Sequence, residues 1–151
     1  MFVATASKRY AGGVDLASTA GRPVPRPSAL TKPFWDGCRE GLLLVQRCDS
    51  CGTHVFVPQD FCPSCLATEL TWVESVGEGR LVTYTVVWRP QTPAFEAPYV
   101  VAIVQLAEGH DMVTNVVDTD HADLRVGAPV RVAFREVAPE VTLPCFTVVH
   151  A

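Results

Sequence analysis

The chain has 151 residues, of which 48% are hydrophobic, with 12 basic and 16 acidic side chains. This length and composition are enough to bury a core, as one ordinary domain or two small ones. No apolar run approaches the roughly 20 residues of a membrane span, and the N-terminus lacks the apolar segment of a secretory signal. We therefore expect a cytoplasmic protein that does not contact a membrane.

Residues 1–28 are rich in Ala, Gly, Ser and Thr and end in the proline-spaced run RPVPRPS. Such a run favours extended polyproline conformations over a packed element, so this segment is predicted to be a flexible tail. The tail carries four basic residues and one acidic residue, which leaves eight basic and fifteen acidic residues for the rest of the chain. The part predicted to fold is therefore acidic.

A short helix is predicted next, within TKPFWDGCREG. Thr31 can cap its start, Pro33 suits its first turn and Gly41 supplies a stop. Phe34 and Cys38 would then share one face of the helix, which we expect to be the buried one.

Four of the six cysteines lie in RCDSCGTHVFVPQDFCPSC, as two CxxC pairs separated by ten residues. Each CxxC turn directs two thiolates to one point, and two such turns supply the tetrahedral sulfur set that Zn²⁺ accepts. The predicted ligands of a structural zinc are Cys48, Cys51, Cys62 and Cys65. The apolar segments LLLVQR and TELTWVES on either side predict strands, so residues 29–76 are assigned to the helix and a zinc ribbon.

Two alternatives compete with a zinc site. A thioredoxin-like redox pair would need one CxxC in a βαβ context, and the cysteines could also be a chance cluster of buried thiols. Four sulfurs leave no open coordination position, so a metal here would stabilise the ribbon and would not catalyse. His54 could replace one sulfur but is not needed as a ligand, and Cys38 and Cys145 are expected to be buried, inert thiols.

From residue 77 the hydrophobic period changes to two, which predicts about five strands. They lie in GRLVTYTVVWRP, PYVVAIVQL, DMVTNVVD, PVRVAFREV and LPCFTVV. Alternation in the first strand places one set of side chains on one face: Val82, Tyr84, Val86 and Trp88. Glu108 and Gly109 signal a hairpin, and DTDHADLRVGA a longer connection. A mainly β fold ending in a five-stranded Greek-key barrel of the OB type, over residues 77–151, is the predicted architecture.

The order of these motifs resembles the zinc-ribbon OB-fold family long called domain of unknown function thirty-five. The resemblance rests on PFWDGCREGLLLVQRC, the paired CxxC motifs, GEGRLVTYTVV, PYVVAIVQLAEG and VGAPVRVAF, from about Pro33 to Val148. It implies a rubredoxin-like ribbon behind the helix and an OB fold that associates with thiolase-superfamily enzymes. Members are similar to accessory subunits of acyl-CoA acetyltransferases and of aldolases that shorten sterol side chains. Gln59 and Asp60 stand where many relatives have a basic residue, so an anion contact there does not carry over.

No catalytic set is apparent in the sequence, because its four histidines are scattered and it has no Ser/His/Asp arrangement or Gly-rich phosphate loop. The stretch DTDHADL is interpreted as an exposed acidic loop and not as a second metal site. Together with the resemblance, this predicts a largely non-catalytic subunit of a hetero-oligomer with a thiolase-like or aldolase protein acting on an acyl-CoA. The reaction stays open between thiolysis, acyl transfer in an acetyltransferase complex, and a retro-aldol lyase step of steroid side-chain degradation.

Six residues are candidates for contact with substrate or partner: Phe34, Trp35, Trp88, Arg89, Phe95 and Tyr99. The last four lie in WRPQTPAFEAPY, where aromatic side chains and one arginine would suit an acyl chain and a CoA phosphate. Core packing or a protein interface explains these aromatic residues equally well.

A nucleic-acid-binding module is the main alternative, because OB barrels commonly bind oligonucleotides. The acidic charge of the folded part argues against it, because Lys and Arg contacts to phosphate supply most of the non-specific affinity. Binding would require five arginines to gather on one face: Arg80, Arg89, Arg125, Arg131 and Arg135. We therefore expect no nucleic-acid partner.

Overall fold

The computed structural model describes residues 22–149; most of the predicted tail, residues 1–21, lies outside them, as do the last two residues. The described elements are helix α1 (Lys32–Glu40) and strands β1 (Leu44–Cys48), β2 (His54–Val55), β3 (Leu70–Glu74), β4 (Glu78–Val87), β5 (Tyr99–Leu106), β6 (Asp111–Val116), β7 (Pro129–Ala138) and β8 (Val141–Val148). A 3₁₀ turn at His121–Asp123 lies in the connection between β6 and β7. Within this part of the chain, no helix has the length and apolar character to cross a membrane.

Helix α1 begins and ends close to the predicted residues, but its capping oxygen comes from elsewhere. Thr31 occupies the N-cap without a capping bond from its own side chain. Instead, Ser28 Oγ accepts the Thr31 N–H at 3.2 Å, and Thr31 Oγ1 accepts the Ser28 N–H at 2.9 Å. Gly41 ends the helix in the left-handed conformation with φ 77°, as a C-terminal glycine commonly does. Phe34 and Cys38 are both buried, as predicted.

The ribbon is an antiparallel sheet in the order β2-β1-β3, with β1 at its centre. One buried polar side chain on β1 fixes the loop that leads to the second cysteine pair. Gln46, 4% exposed, donates from Nε2 to the Gln59 carbonyl at 3.0 Å and accepts the Gln59 N–H on Oε1 at 2.8 Å. This amide satisfies both backbone groups of Gln59, so the two hydrogen bonds anchor the loop to β1.

The other five strands form a closed barrel in the order β4-β5-β6-β8-β7, with β7 returning to β4. All pairs are antiparallel except β6 with β8, which meet in parallel at one residue pair, Val116 and Phe146. The core is centred on side chains that are almost fully buried: Phe146, Leu81, Val104 and Val130. The predicted five-stranded OB-type barrel is confirmed.

The single-face prediction for β4 is wrong for two of its four residues. A β-bulge between Leu81 and Thr83 inserts one extra residue, so Leu81 points into the core at 1% exposure whereas Val82 is 42% exposed. Tyr84 and Val86 pack against the core. Trp88 lies beyond the end of the strand and is 70% exposed.

The ribbon and the barrel are joined through residues 75–77, which make hydrogen bonds to both. The Ser75 N–H donates to the Leu43 carbonyl at 2.8 Å, and the Gly77 carbonyl accepts the Val132 N–H at 2.7 Å. Between them, the Val76 N–H donates to the Glu108 carboxylate at 2.8 Å. The junction is therefore tied to the residue just before β1, to the β5–β6 hairpin and to β7.

Replacing Gly77 with Ala is expected to destabilise the protein by about 2–4 kcal/mol, as the sum of backbone strain and overpacking. Gly77 has φ 68°, and an added Cβ would lie 2.4 Å from Val132 Cγ1. Gly109→Ala is the matched control, because Gly109 has φ 90° and nothing within 4 Å of the added Cβ. Its expected cost is only about 1 kcal/mol, from the left-handed backbone alone. Urea denaturation of both variants measures the difference, and equal losses would contradict crowding at Gly77.

Candidate metal centre and surface groove

The four predicted ligand cysteines converge at one end of the ribbon. Their Sγ atoms all lie within 4.8 Å of one another, with Cys48 to Cys65 at 3.5 Å and Cys51 to Cys62 at 3.6 Å. Sulfurs bound at about 2.3 Å to a tetrahedral zinc are about 3.8 Å apart, so the cluster fits one zinc ion. Among residues 22–149, no other group of three or more His, Cys, Asp or Glu side chains is close enough to share a metal. These cysteines hold a structural Zn²⁺.

Two turns with the same hydrogen bonds present the sulfurs. In the first knuckle the Gly52 N–H donates to the Cys48 carbonyl at 2.8 Å, and in the second the Leu66 N–H donates to the Cys62 carbonyl at 2.9 Å. Gly52 and Leu66 thus occupy equivalent positions, and both have left-handed backbones, with φ 75° and 64°. Local turn geometry therefore aims each pair of thiols at the shared point.

Burial divides the sulfur set into two kinds, and the two exposed sulfurs differ in their pKa values. Cys48 and Cys62 are fully buried, whereas Cys51 and Cys65 are exposed. The hydrogen bond with the Thr53 hydroxyl lowers the pKa of Cys51 to about 6. The Ala67 amide lowers the pKa of Cys65, but hydrogen bonds among the neighbouring sulfurs outweigh it and raise that pKa to about 12. The sulfurs alone thus compete for negative charge, and a divalent cation removes that conflict.

The remaining thiols and His54 lie outside the metal centre. His54 is on β2, paired with Arg47, and does not belong to the sulfur cluster. Cys38 and Cys145 are 0% and 5% exposed, and burial raises the pKa of both, that of Cys38 to about 12. Thiols with raised pKa values are poor nucleophiles, which agrees with the inert role expected of them.

Two of the six candidate contact residues, Phe34 and Trp35, line an apolar groove of about 240 Å³ between α1, β6 and β8. Their rings meet edge to face at 4.9 Å, and Phe56 lies 5.7 Å from Phe34. Phe34 is only 5% exposed, so it forms the floor of the groove. The groove lies where β6 and β8 run side by side before their single residue pair. There the Thr114 hydroxyl donates to the Pro144 carbonyl at 2.9 Å, and Pro144 has no N–H with which to extend the backbone ladder.

Phe95 and Tyr99 line a second cavity, of about 280 Å³, which shares Asn115 and Cys145 with the groove. Their rings stack with centroids 5.8 Å apart. Arg22 also lines this cavity, with its guanidinium 5.3 Å above the Phe95 ring and Nη2 donating to Asn115 Oδ1 at 3.2 Å. Sequence reasoning missed Arg22 and Asn115, since nothing in a proline-spaced run indicates which barrel residues it meets.

Trp88 and Arg89 lie apart from both cavities. Trp88 packs its edge against the His121 ring, with centroids 5.5 Å apart, and Arg89 is exposed. The structure thus brings four of the six candidate residues into two adjoining cavities and leaves the other two elsewhere. The contact role of all six stays a prediction.

Family models match the two folded parts of the chain in order. The model described as the rubredoxin-like zinc ribbon domain of ChsH2 matches residues 35–71. The model described as the C-terminal OB-fold domain of ChsH2 matches residues 72–135. The boundary lies within β3, close to the junction described above.

Curated relatives fall into two groups. The chain is 40% identical over 124 residues to a probable enoyl-CoA hydratase alpha subunit of Thermomonospora curvata, covering 81% of this chain and 39% of that protein. It is 35% identical over 106 residues to a DUF35 domain-containing scaffold protein of Methanocaldococcus jannaschii, covering 68% of this chain and 75% of that one. The chain therefore spans about two fifths of the hydratase relative but most of the scaffold protein.

Solved structures give the same assignment. A chain of the Ltp2-ChsH2(DUF35) aldolase superposes with a TM-score of 0.76 at 36% identity, covering 82% of this chain and 98% of that chain. A DUF35-family protein of unknown function from Sulfolobus solfataricus shares the fold, with a TM-score of 0.58 at 15% identity over 80% of this chain and 86% of that one. The chain belongs to the DUF35 family, with the rubredoxin-like zinc ribbon and OB fold of the ChsH2 type that its motifs predicted.

Proposed function

We propose that this chain is a largely non-catalytic, accessory subunit of a thiolase-superfamily enzyme that acts on acyl-CoA thioesters. Its similarity to nearly the whole length of the DUF35 chain of the Ltp2-ChsH2 aldolase carries this proposal. By that likeness, the reaction is a retro-aldol cleavage in steroid side-chain degradation, and the protein works as a hetero-oligomer with the aldolase subunit.

The chemistry of the described residues supports a non-catalytic role. Four of the six cysteine sulfurs are committed to a closed zinc site, and the other two thiols are buried. His110 packs against the Phe56 ring and His121 against Trp88. Cleaving a carbon–carbon or thioester bond needs a positioned base or nucleophile, which the partner subunit would supply.

The contribution of this chain would be a wall beside the ligand passage. The groove under Trp35 is apolar, and the adjoining cavity combines the Phe95 and Tyr99 rings with the Arg22 guanidinium. Apolar walls exclude water from an acyl or steroid group, and a guanidinium suits a phosphate of CoA. In this arrangement Arg22, and not Arg89, is the cation that would meet the phosphate.

A hydratase-type partner is the second candidate, because the probable enoyl-CoA hydratase alpha subunit contains a region 40% identical to this chain. An acetyltransferase complex is the third arrangement that the family resemblance implies. Nucleic-acid binding has less support: Arg131 pairs with Glu78 at 2.9 Å, and Arg135 pairs with Asp118. These carboxylates neutralise two of the five arginines that a phosphate-binding face would need.

Co-expression with a thiolase-like protein from the same genome tests the proposal. We expect the two proteins to co-elute in gel filtration and acyl-CoA cleavage to require both. Phe95→Ala should weaken assembly or turnover by about 2 kcal/mol, roughly 30-fold, as interface anchors do. Trp88→Ala, outside both cavities, shows whether the exposed loop also contributes. A chain that never co-elutes, or one that cleaves an acyl-CoA unaided, would defeat the proposal.

A further inference from the structure

The second zinc knuckle, the turn that carries Cys62 and Cys65, exposes two large apolar side chains. Phe61 is 47% exposed and Leu66 is 72% exposed. They flank the hydrogen bond from the Cys62 N–H to the Ala67 carbonyl, at 2.8 Å, which closes the knuckle. The small core of the ribbon is made by other residues, namely Cys48, Val55 and Cys62 with Ala67 and Leu70. Phe61 and Leu66 therefore add little to the packing of the ribbon.

Leu66 also has a strained backbone, which the equivalent residue of the first knuckle avoids. Its φ of 64° lies in the left-handed region, which glycine adopts freely and which strains an L side chain. The first knuckle has Gly52 at this position, with the same hydrogen bond and a φ of 75°. A leucine that is both strained and exposed gains nothing within the chain, so its benefit must come from a contact outside it.

Exposed carboxylates flank this apolar segment in the sequence. Asp60 and Glu69 are exposed, and the Asp49 N–H donates to the Glu69 carbonyl at 3.0 Å, which brings a third exposed carboxylate alongside. Within residues 22–149, none of the three makes an ion pair. The nearby cation, Arg47, lies on the side of the first knuckle, beside Gly52. A complementary surface would therefore be an apolar pocket bordered by lysine or arginine.

We propose that the second zinc knuckle is a docking surface for the enzyme subunit, which would receive Leu66 and Phe61 in an apolar pocket with a basic rim. The inference rests on the proposed function, which supplies the partner. The knuckle shares no residue with the groove or with the Phe95 cavity, so it would be a second, separate contact. One contact at the metal centre and one at the barrel would together fix the orientation of the partner. The zinc would keep the contact surface at the knuckle rigid.

Leu66→Gly separates folding from docking. It removes the side chain and relieves the backbone, so we expect one zinc per chain, an unchanged or higher melting temperature, and at least tenfold weaker binding to the enzyme subunit. Asp60→Lys together with Glu69→Lys should weaken binding to a similar extent at low salt and reduce its salt dependence. Val126→Gly is the control, since Val126 is 69% exposed in the turn before β7, outside the ribbon, and the affinity of this variant should stay within twofold of wild type.

Isothermal titration of the purified enzyme subunit with each variant gives the affinities. If the wild-type chain does not bind, the proposed function fails. If the wild-type chain binds and both the Leu66→Gly and the charge-reversed proteins bind equally well, the knuckle surface is overturned while the proposed function stands. Weakening by Val126→Gly as large as that by Leu66→Gly would also overturn a specific role for the knuckle.

Discussion

Replacing Cys48 and Cys62 with serine is expected to abolish zinc binding and to unfold the ribbon. Structural zinc contributes about 10 kcal/mol or more to small metal-binding folds, which is comparable with the whole stability of a typical domain. Both sulfurs are fully buried, so water could not take their place at the metal. We expect less than about 0.1 zinc per chain by elemental analysis. The amide protons of β1 and β3 should lose their protection in hydrogen exchange, whereas those of the barrel should keep theirs.

Cys38→Ser is the control for this experiment, because it removes another fully buried thiol that lies outside the sulfur cluster. Its cost should be that of a polar group in an apolar site, about 1–3 kcal/mol, with zinc retained in full. A protein that keeps a folded ribbon with all four ligand cysteines replaced would contradict the structural role of the metal. Redox-active iron in place of zinc would contradict its identity.

The metal centre could be predicted from the sequence because its geometry is local. Each CxxC pair is folded by its own turn, and the hydrogen bonds of Gly52 and Leu66 close the two turns in the same way. Only the contact between the two knuckles is long-range in the sequence. Because four sulfurs must bind one ion, the two knuckles can pack together in few other ways. The role of Leu66, in contrast, could be recognised only from its backbone angle and exposure in the structure.

The barrel strands could be predicted from their alternation, but the direction of individual side chains could not. A bulge adds one residue without any break in the apolar pattern, so Val82 turns outward although it continues the series of Tyr84 and Val86. The cavities were still less predictable, because they join distant parts of the chain. Arg22 and Asn115, which share a hydrogen bond, are 93 residues apart, and neither belongs to a motif.

Replacing Phe34 with Ala is expected to destabilise the protein by about 3–5 kcal/mol, which is the usual cost of removing a buried phenylalanine. Phe34 is 5% exposed and touches both Trp35 and Phe56, so its ring joins the helix to the ribbon loop and belongs to the barrel core cluster. Removal of the ring would leave a cavity beneath the groove. Guanidinium denaturation followed by tryptophan fluorescence would measure the loss.

Trp35→Ala is the matched variant, since Trp35 adjoins Phe34 on α1 but is only partly buried and lines the groove. Its stability loss should be smaller, about 1–2 kcal/mol, because only the buried part of the ring loses its contacts. If the groove forms part of the docking or ligand surface, Trp35→Ala should reduce co-elution with the enzyme subunit by more than its stability loss explains. Phe34→Ala should reduce co-elution with the enzyme subunit only by the fraction of the chain that it unfolds. A Phe34→Ala protein as stable as wild type that no longer binds the partner would instead make Phe34 a direct contact residue.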